Sequence, residues 1–198
     1  MKRIDELFAK FPVLEVNDTI ILRRFSRKDA QDYLEFYSIP EVNKFIPDSM
    51  IPKNLEEAEL EVKNIIDSFN SKQDFYWAIA DKETNKLIGG CGFHDWNRFN
   101  FRNEIAYDLH PNYWRKGIMQ LCIKEILKFA FLEIGVLRVQ ATTVKENDAS
   151  NNLLLKVGFK YEGVLRKYKF FKQNMVDVMM FSYTIEDFRR DMSLGRLK

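Results

Sequence analysis

The chain has 198 residues, 46% hydrophobic and 30% charged, an ordinary balance for a globular domain with enough mass for a sizeable core. Lysine and arginine number 31 against 29 aspartates and glutamates, so the net charge is only +2. That balance gives no support for a nucleic-acid partner or for purely electrostatic membrane attachment. Cys91 and Cys122 lie in separate apolar segments, which points to reduced buried thiols and not to a disulfide framework. His94 and His110 lack partners at ligand spacing, so no metal site is expected. The N-terminus carries charges with no apolar run behind them, and no stretch reaches bilayer-spanning length. The expectation is a single cytoplasmic domain over residues 1–198, away from membranes.

In chain order, Thr19 to Phe25 is short, β-branched and apolar and reads as a strand. Ser26 opens a helix to about Tyr37, with Asp29 at capping-box spacing. Pro40, Pro47 and Pro52 punctuate a loop, and Asn54 starts an amphipathic helix with Leu60, Ile65, Ile66 and Phe69 on its apolar side. Phe75 to Ala80, Lys86 to Phe93 and Asn103 to Leu109 read as an antiparallel meander. A long helix follows from Lys116 to Ile134, with Ile118, Leu121, Cys122, Ile126, Phe129 and Ala130 inward and Gly135 ending it. Val136 to Val144 is a strand and Ala149 to Val157 a short helix ended by Gly158. Lys160 to Phe171 and Met175 to Thr184 form a hairpin turning near Gln173-Asn174, and Ile185 to Met192 is a terminal helix. The strand–helix–strand unit from Asn103 to Val144 implies one parallel pair inside an otherwise antiparallel sheet, with helices on both faces.

Two segments carry chemistry. Arg115-Lys116-Gly117 stands at a helix start, where unpaired N–H groups and the dipole favour an anion; cations there are disfavoured unless a ligand compensates them. The glycine allows a phosphate close to the backbone. The segment is neither a P-loop nor a dinucleotide fingerprint. Asn147-Asp148-Ala149-Ser150 reads either as a helix cap or as a ligand-holding segment, with Asn147 bonding amides of an extended ligand and Ser150 donating a proton to a leaving group.

The run from Asn103 to Met119 resembles the strand and pyrophosphate loop of the GNAT acetyltransferases. Asn147 to Arg166 resembles the second half of that superfamily, and its N-x-x-S, K-V-G-F and E-G-V-L-R pieces resemble the RimJ/RimL branch, which includes ribosomal-protein N-terminal acetyltransferases. Ile21 to Phe25 and Val176 to Ser182 fit the same branch, so the likeness spans roughly residues 19 to 188. It implies a GNAT-like α/β fold: a mixed, mostly antiparallel sheet of about seven strands flanked by helices, with a parallel pair that splays apart. It also implies acetyl-CoA as co-substrate. Main-chain groups near Leu109 would meet the pantetheine, Arg115, Lys116, Gly117, Ile118, Met119 and Gln120 would wrap the pyrophosphate, Asn147 would hold the pantetheine arm, and Asn152 and Lys156 would contact the CoA end. Trp114 and Met119 depart from the usual first and last loop residues, Met119 being expected to narrow the loop's closest approach, and Leu154 and Leu155 occupy the region where the superfamily often carries a tyrosine proton donor.

The implied reaction is direct acetyl transfer to a primary amine, which must be neutral to attack. Glu104 is the candidate general base, with an ordinary ion-paired carboxylate as the competing reading; His94 is second. A backbone N–H near Leu109 would serve the oxyanion and Ser150 the departing thiol. The loop from Ile39 to Lys53 and the turn from Trp96 to Arg102, with Phe45, Trp96, Phe99 and Phe101, are candidate walls of the acceptor site. The acceptor is a protein N-terminal α-amine or a small molecule such as an antibiotic, polyamine or amino acid; a catalytically inert CoA-binding sensor is the non-enzymatic alternative. An acidic narrow pocket would favour a small cation and an open groove a peptide. Monomer and homodimer stay open.

Overall fold

The computed structural model describes residues 3–197. Its frame is one sheet of eight strands: β1 (Leu14–Glu15), β2 (Ile20–Arg23), β3 (Tyr76–Asp81), β4 (Leu87–Asn97), β5 (Arg102–Leu109), β6 (Arg138–Val144), β7 (Lys160–Phe171) and β8 (Asn174–Thr184). Their spatial order is β1-β2-β3-β4-β5-β6-β8-β7, antiparallel throughout except for β5 and β6. The expected seven strands are all present; the eighth, β1, is a two-residue edge strand.

Helices α1 (Ile4–Leu7), α2 (Ala30–Tyr37), α3 (Pro40–Asn43), α4 (Leu55–Asn70), α5 (Ile118–Phe129), α6 (Asp148–Val157) and α7 (Ile185–Ser193) cover both faces. Side chains alternate along a strand, so β3 feeds two cores at once. Trp77 and Ile79 join the core under α1, α5 and α7, while Ala78 joins the core under α2 and α4. Local signals explain the helix ends. The Ser26 N–H donates to Asp29 Oδ2 at 2.7 Å, closing the capping box before α2, and Gly135 and Gly158 take the left-handed conformation at φ +79° and +115°.

Some sequence expectations need correction. Leu60 is 54% exposed; the inward side of α4 is Ala58, Val62 and Phe69, at helical spacing, and Leu60 lies two residues out of phase with it. The long helix begins at Ile118 and its last turn, Ala130–Ile134, widens to a π-turn. The proline-punctuated loop contains α3. The segment before residue 19, for which no element was expected, inserts Phe8 against Phe75 at 4.5 Å between ring centroids and Phe11 against Phe69 at 4.8 Å, and the Pro12 carbonyl accepts from Trp77 Nε1 at 2.8 Å. Cys91 and Cys122 are both buried and free, as expected. Among the described residues, no helix is long and apolar enough to cross a membrane.

Candidate active site

β5 and β6 pair only at Arg102/Arg138, Asn103/Val139 and Glu104/Gln140. Past Glu104 they part. Each remains held on its outer side, β5 by β4 as far as Leu109 and β6 by β8 as far as Val144. The main-chain groups that face the gap therefore lack a strand partner and are available to an extended ligand. A cavity of about 590 Å³ opens at this fork, bounded by α2, α4, the segment around Phe45–Met50 and the end of β7.

Glu104 sits at the last paired position, at the root of the fork, and is 6% exposed. Its carboxylate accepts hydrogen bonds from Gln140 Nε2 at 3.0 Å and from Thr142 Oγ1, both on the opposite arm. Opposite it in the β4 register is His94, exposed on its cavity side; nearby Asp74 has its carboxyl pushed up by burial, with His94 opposing the shift.

The other arm of the fork brings Ser150 to Tyr107, the two hydroxyl oxygens lying 2.6 Å apart. Asn147 caps α6, its Oδ1 accepting from the Ser150 N–H at 3.1 Å, so the cap reading holds and it fixes Ser150. Asn151 is buried beneath: its Oδ1 accepts from Thr143 Oγ1 and its Nδ2 donates to the Lys145 carbonyl at 3.1 Å, tying the turn to β6. Burial pushes the Tyr107 phenol above its ordinary range, so it stays protonated at neutral pH. The sequence reading looked for a tyrosine on α6, where Leu154 is core and Leu155 exposed. A tyrosine hydroxyl reaches Ser150 from the strand instead.

Asp108 was also missed. Its Oδ2 accepts from Tyr37 Oη at 2.7 Å and Tyr76 Oη at 3.2 Å, and its Oδ1 from the Gly90 N–H at 2.8 Å. Burial pushes its carboxyl up to about 6, the three donors opposing that shift. The glycines of β4 make room for this cluster: a Cβ at Gly90 would come 2.7 Å from Tyr76 Cε1 and one at Gly92 2.3 Å from the Phe75 carbonyl oxygen. The signal in the sequence was the Gly-Gly-Cys-Gly run in a strand, which marks a close approach of neighbouring groups.

At the carboxyl end of β5 the chain enters the loop Tyr113–Gly117. Arg115 and Gly117 adopt left-handed backbone, φ +58° and +77°, and a Cβ at Gly117 would meet nothing within 4 Å. The space above the α5 N-terminus is thus open, with exposed Arg115 and Lys116 beside it and Lys116 Nζ 5.5 Å from the Tyr113 ring centroid. Unpaired N–H groups, the dipole and two cations suit a phosphate-bearing ligand. Ile118 and Met119 turn their side chains into the core, each 8% exposed, so they offer the loop main-chain groups only. Met119 therefore does not narrow the loop. Gln120 is half-buried on the first turn. Trp114, which departs from the family pattern, donates from Nε1 to the Leu109 carbonyl, which is thus already engaged at the strand end. Asn152 and Lys156 are exposed one turn apart on α6.

Glu104, Tyr107, Asn147 and Ser150 share the cavity; Leu109, the loop residues 115–120, Asn152 and Lys156 do not line it. Of the expected acceptor walls, Phe45 does line it, together with Ile46, Pro47 and Met50. Trp96, Phe99 and Phe101 do not: Trp96 packs with Phe8 and Phe75, and Phe99 is 91% exposed.

The family model described as Acetyltransferase (GNAT) domain matches residues 19–160. The uncharacterized N-acetyltransferase YoaA of Bacillus subtilis is 33% identical over 172 residues, covering 87% of this chain and 96% of YoaA. Among solved structures, RimL, a ribosomal L7/L12 α-N-protein acetyltransferase in complex with coenzyme A, superposes with a TM-score of 0.80 at 17% identity, covering 89% of this chain and 99% of RimL. The microcin C7 self-immunity acetyltransferase MccE, in complex with acetyl-CoA and AMP, gives 0.78 at 24%, covering 87% and 96%. The two structures share the fold, and the domain match with the YoaA likeness carries the assignment: the chain belongs to the GNAT acetyltransferases, as an enzyme of the N-acetyltransferase type that transfers acetyl to an amine.

Proposed function

We propose that this enzyme takes the acetyl group of acetyl-CoA to a cationic primary amine that reaches the fork through the acidic cavity. The observation that carries this reading is the fork itself: a fixed carboxylate at its root, a hydroxyl pair bridging its two arms and an open anion cradle at the end of β5. Acetyl-CoA, when bound, supplies an activated acyl group on a thioester. The exposed Arg115 and Lys116, with the main-chain N–H groups of Gly117, Ile118, Met119 and Gln120, hold its pyrophosphate. The Leu109 N–H and the Asn147 side chain meet the pantetheine arm, and Asn152 and Lys156 the far end.

An incoming α-amine has a pKa of about 7.7–8.0 and a lysine-type amine about 10.4, so a base is needed at neutral pH. Glu104 takes that proton, directly or through one water, with Gln140 and Thr142 fixing its carboxylate. A main-chain N–H freed where β5 leaves β6 donates to the carbonyl oxygen as charge builds on it. Ser150 Oγ–H hydrogen-bonds to the departing thiolate, with its hydroxyl oriented by the Tyr107 phenol 2.6 Å away, which burial keeps protonated; the proton that ends on the thiol is the one the amine gave to Glu104, returned through water.

The cavity carries Glu61, Asp74, Glu104 and Asp108 against Lys169 and His94. That excess of carboxyls favours a positively charged acceptor. A small amine fits this volume, and an N-terminal α-amine is the second reading, favoured by the likeness in fold to RimL. Calorimetric titration with acetyl-CoA tests the co-substrate assignment. We expect saturable binding that weakens at least about tenfold in Arg115→Ala/Lys116→Ala; no binding to the wild type overturns the reading.

A further inference from the structure

We infer that Asp108 and the rings of Tyr33, Tyr37 and Tyr76 form a subsite for a second positive charge on the acceptor, so that the preferred acceptor is an amine bearing another cationic group. This rests on the amine-acceptor reading above. Three donors engage Asp108, Tyr37 Oη, Tyr76 Oη and the Gly90 N–H, whereas a carboxylate has about four acceptor positions, which leaves one. Among the described residues, no lysine or arginine forms an ion pair with it, and the same holds for Glu61 and Asp74 in the same cavity. A partly desolvated carboxylate without a counter-charge carries a cost, and a ligand cation offsets it.

The surroundings suit an ammonium group in particular. The Tyr33 and Tyr37 rings lie 4.4 Å between centroids, tilted 41° to one another, and Tyr33 lies within the electrostatic reach of both Asp108 and Glu61. Aromatic rings lining the same cavity as a carboxylate add the attraction of their quadrupole for an ammonium to that of the charge. Gly90 and Gly92 leave the strand surface bare, so the Tyr76 ring lies against it and its hydroxyl reaches Asp108. Glu104 and Asp108 stand four residues apart on one face of β5, about 13 Å along the strand. An acceptor with its reacting amine near Glu104 and its second charge near Asp108 spans the cavity floor.

The test compares octamethylenediamine with octylamine, which share a chain and differ by one charge. We expect the wild-type kcat/KM to favour the diamine by at least about tenfold, and Asp108→Asn to collapse that ratio toward one. Tyr76→Phe keeps the carboxylate and the ring face and should retain most of the preference. Unchanged coenzyme A affinity reports that each variant is folded. A wild-type ratio near one, or a ratio untouched by Asp108→Asn, overturns the subsite. Titration of octamethylenediamine into coenzyme-A-saturated protein separates the two claims. Binding without turnover removes the catalytic reading and leaves the subsite; octylamine turnover with no diamine preference does the reverse.

Discussion

Gly117→Ala separates the ligand-binding role of the loop from its structural role. Gly117 has φ +77°, and an alanine held there loses about 1–2 kcal/mol to backbone strain. No clash adds to this, because nothing lies within 4 Å of the new Cβ. In a chain of this size the melting temperature should fall by about 2–8 °C. Gly135, at φ +79° past the end of α5, should suffer the same strain and serves as the control. The two substitutions diverge on ligand. The methyl at residue 117 projects into the open space above the α5 N-terminus, where the pyrophosphate should approach the main chain. Losing one charge-assisted hydrogen bond is worth about 1.5–3 kcal/mol, so the acetyl-CoA Kd should rise about 10- to 100-fold, with no change in Gly135→Ala. Calorimetry and thermal denaturation on both variants read these numbers. Equal melting-temperature losses with equal, unchanged affinities would refute the assignment of the loop as a phosphate cradle.

Glu104→Gln should lower kcat about 10²- to 10⁴-fold at neutral pH and leave the acetyl-CoA Kd within a factor of about two; steady-state kinetics at saturating acetyl-CoA reads this, and an unaffected kcat moves the base elsewhere. Tyr107→Phe and Ser150→Ala should each lower kcat about 10- to 100-fold, and the double variant should cost far less than the product of the two, because both act through one contact. Multiplicative losses would mean two independent roles. Asp108 titrates at about 6 in the folded protein against about 3.9 unfolded. The folded state therefore binds more protons between about pH 4 and 6, and this group's contribution to stability falls as pH rises through that window, by on the order of 3 kcal/mol. Urea midpoints should show Asp108→Asn gaining on the wild type from pH 4 to 7; a pH-independent difference would place the Asp108 proton equilibrium at its ordinary value.

The fold was legible because its signals are local. Alternation, capping residues and glycine stops mark nearly every element, and short links forced the meander. The fork was legible only through the motif likeness, since hydrophobic patterning does not say where a parallel pair stops pairing. Leu60 was misphased because Leu60, Ile65 and Ile66 satisfy a loose helical pattern whose true inward stripe runs through the smaller Ala58 and Val62. The N-terminal aromatic arm was invisible because Phe8 and Phe11 are ordered by tertiary contacts with the sheet and not by local periodicity. Glu104, Ser150 and Asn147 were found as members of motifs. Tyr107 and Asp108 share β5 with Glu104 yet were passed over, because a tyrosine and an aspartate in a strand carry no spacing signal. What distinguishes them is a hydroxyl 43 residues away in sequence and tyrosines contributed by α2 and β3. Trp114 was read as a departure from a pattern; its partner, the Leu109 carbonyl, is again a tertiary fact.

The most direct test of the account is mass spectrometry of the amine after incubation with acetyl-CoA and the wild-type enzyme, with Glu104→Gln run in parallel. The account predicts an acetyl group on the nitrogen of a cationic primary amine, formed in step with free thiol and at least about a hundredfold more slowly by the variant. Acetyl-CoA binding with no acetylated product from small amines or N-terminal peptides would contradict it.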